Sequence, residues 1–382
     1  MTKIYQLGLL GKLAAGTVSA LTATIAKIVS EFGLQAGVDI SIDQGAAFAP
    51  DITRASAALY FGAPSFVHPD LSNLIGHGVP IIPIVSDLRH FSAETPAPLQ
   101  KINGLALSDD DAALTKIATV LLECVGLLPR QRRVFLSYRR TESREVALQL
   151  FEAFSARQFD VFLDTHGVPP AVDFQATLWH RLCDSDVLVM LDTPGYFGNR
   201  WTAAEFGRAQ AKSITVLRLG WPGHHASPRI LAQPSIQLAT ADILPDNRLT
   251  DPTVANICSA LELYRSKSIA IRHSEIVGTL RVAMTKLAGT LNGVGAHRST
   301  SLTLADGTNI VAYPIVGVPT AETIQDAQAR GPSGSVAVVY DHVGLHHKWQ
   351  EHLGWLSQYV REVRIVRTSH AAWDFGAWGH DQ

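Results

Sequence analysis

The chain contains 382 residues, of which 47% are apolar and 17% charged, and its formal net charge is −2. This composition excludes a disordered chain, and at ~100–200 residues per domain the length predicts two or three globular domains. A near-neutral charge gives no electrostatic attraction towards nucleic acid or an anionic membrane, so we expect neither as a direct partner.

The cysteines and the hydropathy of the chain narrow its class further. Three cysteines are too few and too widely spaced for a disulfide framework or a zinc cluster, so buried, reduced thiols are expected. No stretch reaches the ~20 apolar residues of a membrane span. Gln6 and Lys12 interrupt the apolar N-terminus, which leaves no signal-peptide core. The sequence therefore predicts a cytoplasmic protein.

The first predicted block covers residues 1–129 and alternates strands with helices. Its predicted strands are 3–10, 38–42, 57–61 and 81–85, and its predicted helices are 18–32 and 112–125. Short apolar runs of this kind are typical of parallel strands that are covered on both faces. Its early glycines do not form the G-x-G-x-x-G motif of dinucleotide-binding domains.

The second and third predicted blocks cover residues 130–266 and 267–382. Predicted strands of the second block are 134–138, 159–164, 186–192 and 214–219, and its predicted helices include 143–158, 201–212 and 253–267. The third block has predicted helices at 275–291 and 346–359 and predicted strands at 309–313, 336–340 and 363–367. Alternating strands and helices predict an α/β fold with a parallel sheet in each block.

Four segments of the middle block resemble, in order and spacing, the TIR (Toll/interleukin-1 receptor) domain family. They are Val134–Arg140, Asp160–Asp164, Asp184–Leu191 and Asn199–Glu205, within a region from about residue 132 to residue 223. The resemblance implies a flavodoxin-like parallel sheet. The flanking blocks are then expected to be Rossmann-like or TIR-like α/β domains, the first without catalysis and the third for sensing or assembly.

The same resemblance implies a catalytic residue. Enzymatic members of the bacterial branch cleave NAD at the nicotinamide–ribose bond, and their catalytic glutamate lies in a Trp-x-x-x-Glu segment that Trp201 and Glu205 supply here. Residues four apart share a helix face, and a carboxylate beside the ribose stabilises an oxocarbenium-like transition state. Glu205 is therefore the expected catalytic residue and Trp201 an NAD contact. The alternative interpretation is a core tryptophan with a solvated glutamate one turn later.

Further candidate NAD-binding residues lie at strand ends, where open α/β sheets bind ligands. They are Ser137, Tyr138 and Arg139 after the first strand and Asp164 after the second. Tyr138 either stacks on a base or packs in the sheet, and Arg139, with Arg140, either pairs with the pyrophosphate or forms a surface pair. Asp164 either contacts the ribose or caps a turn.

The leading hypothesis is an NAD glycohydrolase of bacterial antiphage or toxin-like signalling, which releases nicotinamide and ADP-ribose or a cyclic ADP-ribose. It needs no cofactor beyond NAD as substrate, and it is expected to form a homo-oligomer through the TIR and flanking domains. The rival is a non-catalytic adaptor that signals by self-association, and a third reading is a nucleotide-signal receptor. No metal is predicted, because His342, His346 and His347 are read as structural rather than as ligands.

Overall fold

The computed structural model describes residues 3–62, 65, 68–107, 111–128, 131–163, 174–198 and 200–378. Within these residues the chain forms three five-stranded sheets with helices between the strands. It divides into two compact units. The discontinuous unit comprises Met1–Leu128, Ile269–His342 and Lys348–Gln382, and the central unit comprises Pro129–Ser268 and Val343–His347.

The first sheet of the discontinuous unit is wholly parallel. Its strands are β1 (Tyr5–Gly11), β2 (Ile40–Gln44), β3 (Ser56–Phe61), β4 (Ile81–Val85) and β5 (Leu105–Ala106), and its helices are α1 (Ala15–Ser30), α2 (Leu71–Gly76), α3 (Phe91–Glu94) and α4 (Asp111–Cys124). The strand order β2-β1-β3-β4-β5 is that of flavodoxin-like folds. Every residue of β3 and β4 is buried, as the predicted covered strands require.

The central unit contains the second parallel sheet. Its strands are β6 (Arg133–Ser137), β7 (Asp160–Leu163), β8 (Val187–Asp192), β9 (Thr215–Gly220) and β10 (Ser235–Gln237), and its helices include α5 (Arg140–Ser155), α6 (Phe174–Asp184) and α7 (Arg200–Ala211). The order β10-β9-β8-β6-β7 repeats the flavodoxin-like arrangement. The predicted flavodoxin-like fold of this block is confirmed.

Alternate side chains of β6 and β8 face opposite helical layers, as strand geometry requires. Val134 and Leu136 belong to a core cluster with residues of α5, whereas Phe135 belongs to a second cluster with residues of α6 and α7. Ser137 follows the alternation of Phe135. The side chain at the end of β6 is therefore expected on the face where α7 lies.

The helix α8 (Asp251–Lys286) is continuous, so the prediction of two separate helices over 253–267 and 275–291 was wrong. The residues between those ranges include neither proline nor glycine, so nothing stops the helix there. The change from the central to the discontinuous unit, after Ser268, falls within α8. No helix of the described residues is long and apolar enough to cross a membrane.

The third sheet belongs to the discontinuous unit and is mixed, which corrects the prediction of a wholly parallel sheet. It follows α8 with β11 (Thr290–Val294), β12 (Thr300–Thr303), β13 (Asn309–Ile315), α9 (Ala321–Arg330), β14 (Val336–Tyr340), α10 (His347–Tyr359), β15 (Val363–Arg367) and α11 (Ala371–Gly376). The first three strands pair antiparallel and the last three parallel. A short turn at residues 304–308 joins β12 to β13, and such a turn can only join antiparallel strands.

Candidate active site

The carboxyl ends of the central strands bring a set of polar side chains together. β6 ends at Ser137 and β8 ends at Asp192, and these parallel neighbours are in register, with Ser137 opposite Met190. Glu205 is supplied by α7, the helix that follows β8. Ligands of open α/β sheets bind at this edge.

A hydrogen-bonded chain joins Tyr196, Ser137 and Glu205. The Ser137 hydroxyl donates to Oε2 of Glu205 at 2.5 Å and lies 2.6 Å from the Tyr196 hydroxyl. Because a serine carries one hydroxyl hydrogen, the Tyr196 hydroxyl must be the donor to Ser137. The exposed fractions are 0% for Tyr196, 2% for Ser137 and 5% for Glu205. This hydrogen-bonded row of side chains therefore orients a buried carboxylate through two buried hydroxyls.

The turn after β8 fixes Tyr196 in this position. The Thr202 hydroxyl donates to the backbone carbonyl of Tyr196, and the Phe197 ring packs edge-on against the rings of both Tyr196 and Phe206. Burial, and after it the carboxylate of Glu205, raise the pKa of Tyr196 well above its usual value. Tyr196 is thus a neutral hydrogen-bond donor at physiological pH.

An ion pair lies beside this chain. Nη1 of Arg139 donates to Oε1 of Glu142 at 2.5 Å, and Oε2 of Glu142 accepts from the backbone N–H of Gly195 at 3.0 Å. A Cβ at Gly195 would stand 1.4 Å from Arg139 Nη1, so a larger residue there would displace the guanidinium from its present position. The pKa of Glu142 is held below its usual value, most strongly by the Thr193 hydroxyl and then by Gly195 and Arg139. The turn after β8 is therefore tied to Arg139.

A buried ion pair joins the end of β8 to β9. Nε of Arg218 donates to Oδ2 of the fully buried Asp192 at 2.6 Å, and Oδ1 of Asp192 lies 3.5 Å from Nε2 of His224. Nη1 of Arg218 also donates to Gln237 at 3.1 Å. These contacts fix the strand ends against the loop that follows β9.

The structure brings some of the predicted site residues together. Ser137 and Glu205 are in direct contact, and Arg139 lies two residues beyond the strand that ends at Ser137, where α5 begins. Tyr138 is buried in the core cluster that contains residues of α5, on the opposite face of the sheet from Ser137. Trp201 lies in the first turn of α7, but its side chain, like the whole of Asp164, is outside the described residues.

Sequence reasoning missed Tyr196 and the Asp192–Arg218 pair. Asp192 carried a signal, because it is a polar residue that ends a buried strand, the rule that selected Ser137. Tyr196 carried none, since its role depends on a turn that buries its hydroxyl. The three cysteine side chains are buried, and no group of three or more possible metal ligands occurs among the described residues.

A comparison with protein families matches residues 134–243 to the TIR domain. The matched region includes the strands β6 to β10 and extends beyond the resemblance seen in the sequence, which ended near residue 223. A search of curated proteins found no match to the chain. The central unit therefore contains a TIR domain at residues 134–243.

Proposed function

We propose that this TIR domain is an NAD glycohydrolase whose catalytic residue is Glu205. TIR domains include NAD-cleaving enzymes and self-associating adaptors, and one observation favours the enzyme. Glu205 is 5% exposed and accepts a hydrogen bond from Ser137 at the carboxyl edge of the sheet. A buried carboxylate costs free energy, and a structural helix face does not need one. The solvated glutamate of the alternative interpretation does not fit this burial.

The proposed reaction breaks the bond between ribose C1′ and the nicotinamide nitrogen. The bonding electrons move to that nitrogen and neutralise the pyridinium, so nicotinamide leaves without a general acid. Positive charge develops on the ribose, and the Glu205 carboxylate stabilises it. Water then adds to C1′ and loses a proton, which gives ADP-ribose. A ring nitrogen of the adenine in place of water gives a cyclic ADP-ribose.

The neighbouring side chains supply orientation. The hydrogen bond from Tyr196 polarises the Ser137 hydroxyl and so strengthens the hydrogen bond that Ser137 donates to the carboxylate. This fixes the rotamer of Glu205 before substrate binds. Arg139 lies at the strand end, where its guanidinium suits a pyrophosphate oxygen. TIR domains commonly self-associate, so we expect the active form to be a homo-oligomer.

The test is turnover of NAD by the purified full chain at several protein concentrations. Glu205→Gln keeps the side-chain shape and an acceptor for Ser137 but removes the charge, and we expect its rate to fall by at least ~100-fold. Glu152→Gln, on the exposed surface of α5, is the matched control and should retain the wild-type rate. Equal rates for Glu205→Gln and wild type would refute the assignment. No turnover by a self-associating wild-type chain would favour the adaptor.

The expected setting, antiphage or toxin-like signalling, has its own test. Bacterial cells that express the active chain should lose NAD after phage infection or on forced assembly, and cells that express Glu205→Gln should not. NAD that stays constant in both strains while growth still stops would separate the cellular role from the enzymatic activity.

A further inference from the structure

The discontinuous unit contains a cavity whose lining includes two arginines and two histidines. It is partly open and has a volume of about 40 Å³, more than the ~10–15 Å³ that a single water needs. The cavity therefore has room for about three waters or one tetrahedral oxyanion. Its polar lining comprises Arg54, Ser56, His77, His273, Ser274 and Arg298, and none of its described lining residues is a carboxylate.

His273 is the first feature that indicates a ligand. It is 7% exposed, and neither of its ring nitrogens makes a hydrogen bond of ordinary geometry, although the backbone of Gly78 lies close by. Burial first, and then the charge of Arg298, lower the pKa of His273 to about 3. The backbone of Gly78 can engage at most one ring nitrogen, and a second buried nitrogen without a hydrogen bond is costly, so it calls for a partner in the cavity.

Arg298 is held at the cavity by an unusual turn. Both His297 and Arg298 have positive φ, at 57° and 56°, a conformation that L-residues rarely adopt. His297 contacts Glu123, and Nε of Arg298 donates to the backbone carbonyl of Cys124 at 2.9 Å. Strained residues of this kind persist where the surrounding structure enforces them, commonly at ligand sites.

The nearby carboxylates are engaged with other groups. Asp51 lies 3.2 Å from Nε of Arg54 and accepts from Thr53, and it offsets part of the charge of Arg54. Glu123 contacts His297 and Arg330. The cationic side chains of the described lining are therefore Arg54 and Arg298, with no described carboxylate among them. Its mouth is marked by the exposed residues His77 and Ser274, which gives a small ligand a route inwards.

We infer that this cavity binds a phosphate group, either as inorganic phosphate or as the terminal group of a small phosphorylated molecule. Arg298 supplies the charge, and the His273 imidazole and the Ser56 hydroxyl supply buried hydrogen bonds. The lining residues belong to the discontinuous unit, whereas Glu205 belongs to the central unit.

Calorimetric titration of the full chain tests the inference with two probes, inorganic phosphate and ribose 5-phosphate. We expect saturable binding of at least one probe below ~10 mM. Tighter binding of phosphate would identify the free ion as the ligand, and tighter binding of ribose 5-phosphate would identify a phosphorylated molecule. Absence of saturable binding by both probes would overturn the inference.

Variants localise the site. Arg298→Gln and His273→Phe should each weaken binding by roughly tenfold or more, the effect of one charge-assisted or buried hydrogen bond. Arg89→Gln and His90→Phe, at exposed positions outside the cavity, are the matched controls and should bind as wild type does. If a cavity variant fails to fold, His77→Gln at the exposed mouth replaces it, with at least a threefold loss expected. Equal affinity in every folded variant would contradict the assignment.

Discussion

Ser137 links a buried tyrosine to a buried carboxylate, so its hydroxyl is the most direct test of how Glu205 is oriented. Ser137→Ala removes a hydrogen bond to a charged group, worth ~1.5–3 kcal/mol. We expect kcat for NAD cleavage to fall roughly 10–100-fold with little change in KM. Steady-state kinetics checks this, with Ser155→Ala on the exposed end of α5 as the control. An unchanged kcat would mean that the hydrogen bond from Ser137 does not position the carboxylate.

Arg139 is a second residue with a distinct kinetic signature. If its guanidinium binds the pyrophosphate, Arg139→Gln should raise KM for NAD by about tenfold and leave kcat within a factor of two or three, because uniform binding is lost. The control is Arg144 on α5, whose side chain is 60% exposed; Arg144→Gln should leave both kcat and KM unchanged. A fall in kcat alone would instead assign Arg139 a role in holding the turn at Gly195.

The residues of the site differ in how far the sequence could predict them. Glu205 was selected by the Trp-x-x-x-Glu segment of the TIR resemblance, and Ser137 because a buried strand ends there. Tyr196 was not, since no local pattern tells whether a tyrosine in a turn is buried. Tyr138 and Ser137 are adjacent in the chain, yet strand alternation sends them to opposite sides, and only Ser137 contacts Glu205.

At the scale of elements, α8 is joined to the central sheet by two buried ion pairs. Arg132 pairs with Glu262, and Arg265 pairs with Asp186 at 2.8 Å; all four side chains are at most 3% exposed. Glu262→Leu would leave the Arg132 charge buried without its partner, and we expect a loss of ~3–5 kcal/mol in the free energy of unfolding. Urea unfolding of the full chain, followed by a signal that reports on the central unit, measures this loss of stability.

Two further variants make that experiment decisive. The double replacement Arg132→Met with Glu262→Leu should recover most of the lost stability, because an apolar pair of similar volume replaces the ion pair. Glu145→Leu, in an exposed pair with Arg144, should change stability by less than ~1 kcal/mol. A Glu262→Leu variant as stable as the Glu145→Leu control would show that the buried pair does not hold α8.

Helices and strands were predicted well where a local pattern of apolar residues marks them. The strands β4 and β15 occur at the predicted residues, and most other bounds differ by a few positions. The errors have different causes. The predicted break within α8 had no proline or glycine to support it, whereas β11 and β12 are short strands whose pairing depends on the turns that join them to their neighbours.

At the scale of the whole molecule, the buried His273 makes stability depend on pH. Its pKa is about 3 in the folded chain against ~6.5 when unfolded, so folding keeps the imidazole neutral. This contribution is fully present above about pH 6.5 and is lost as the pH falls towards 3, by at most ~1.4 kcal/mol per pH unit. Unfolding free energies at several pH values should therefore fall more steeply with acid for wild type than for His273→Phe. Identical slopes would contradict the prediction.

The α/β fold class of the chain was visible in its sequence, because strand–helix alternation is a local pattern. The grouping of the first and third blocks in one compact unit was not, since it depends on contacts between residues nearly 200 positions apart, such as Asn103 with Ser299. The same limit hid the cavity at His273, whose lining comes from five separate stretches of the chain.

The central claim is that Glu205 promotes cleavage of the nicotinamide–ribose bond. The most direct measurement is mass spectrometry of NAD products formed in oxygen-18 water by wild type and by Glu205→Gln. The account predicts nicotinamide equal to the NAD consumed, with one labelled oxygen in ADP-ribose or with an unlabelled cyclic product, and at least ~100-fold less from Glu205→Gln. Adenosine monophosphate and nicotinamide mononucleotide as products, or equal rates in the two proteins, would contradict it.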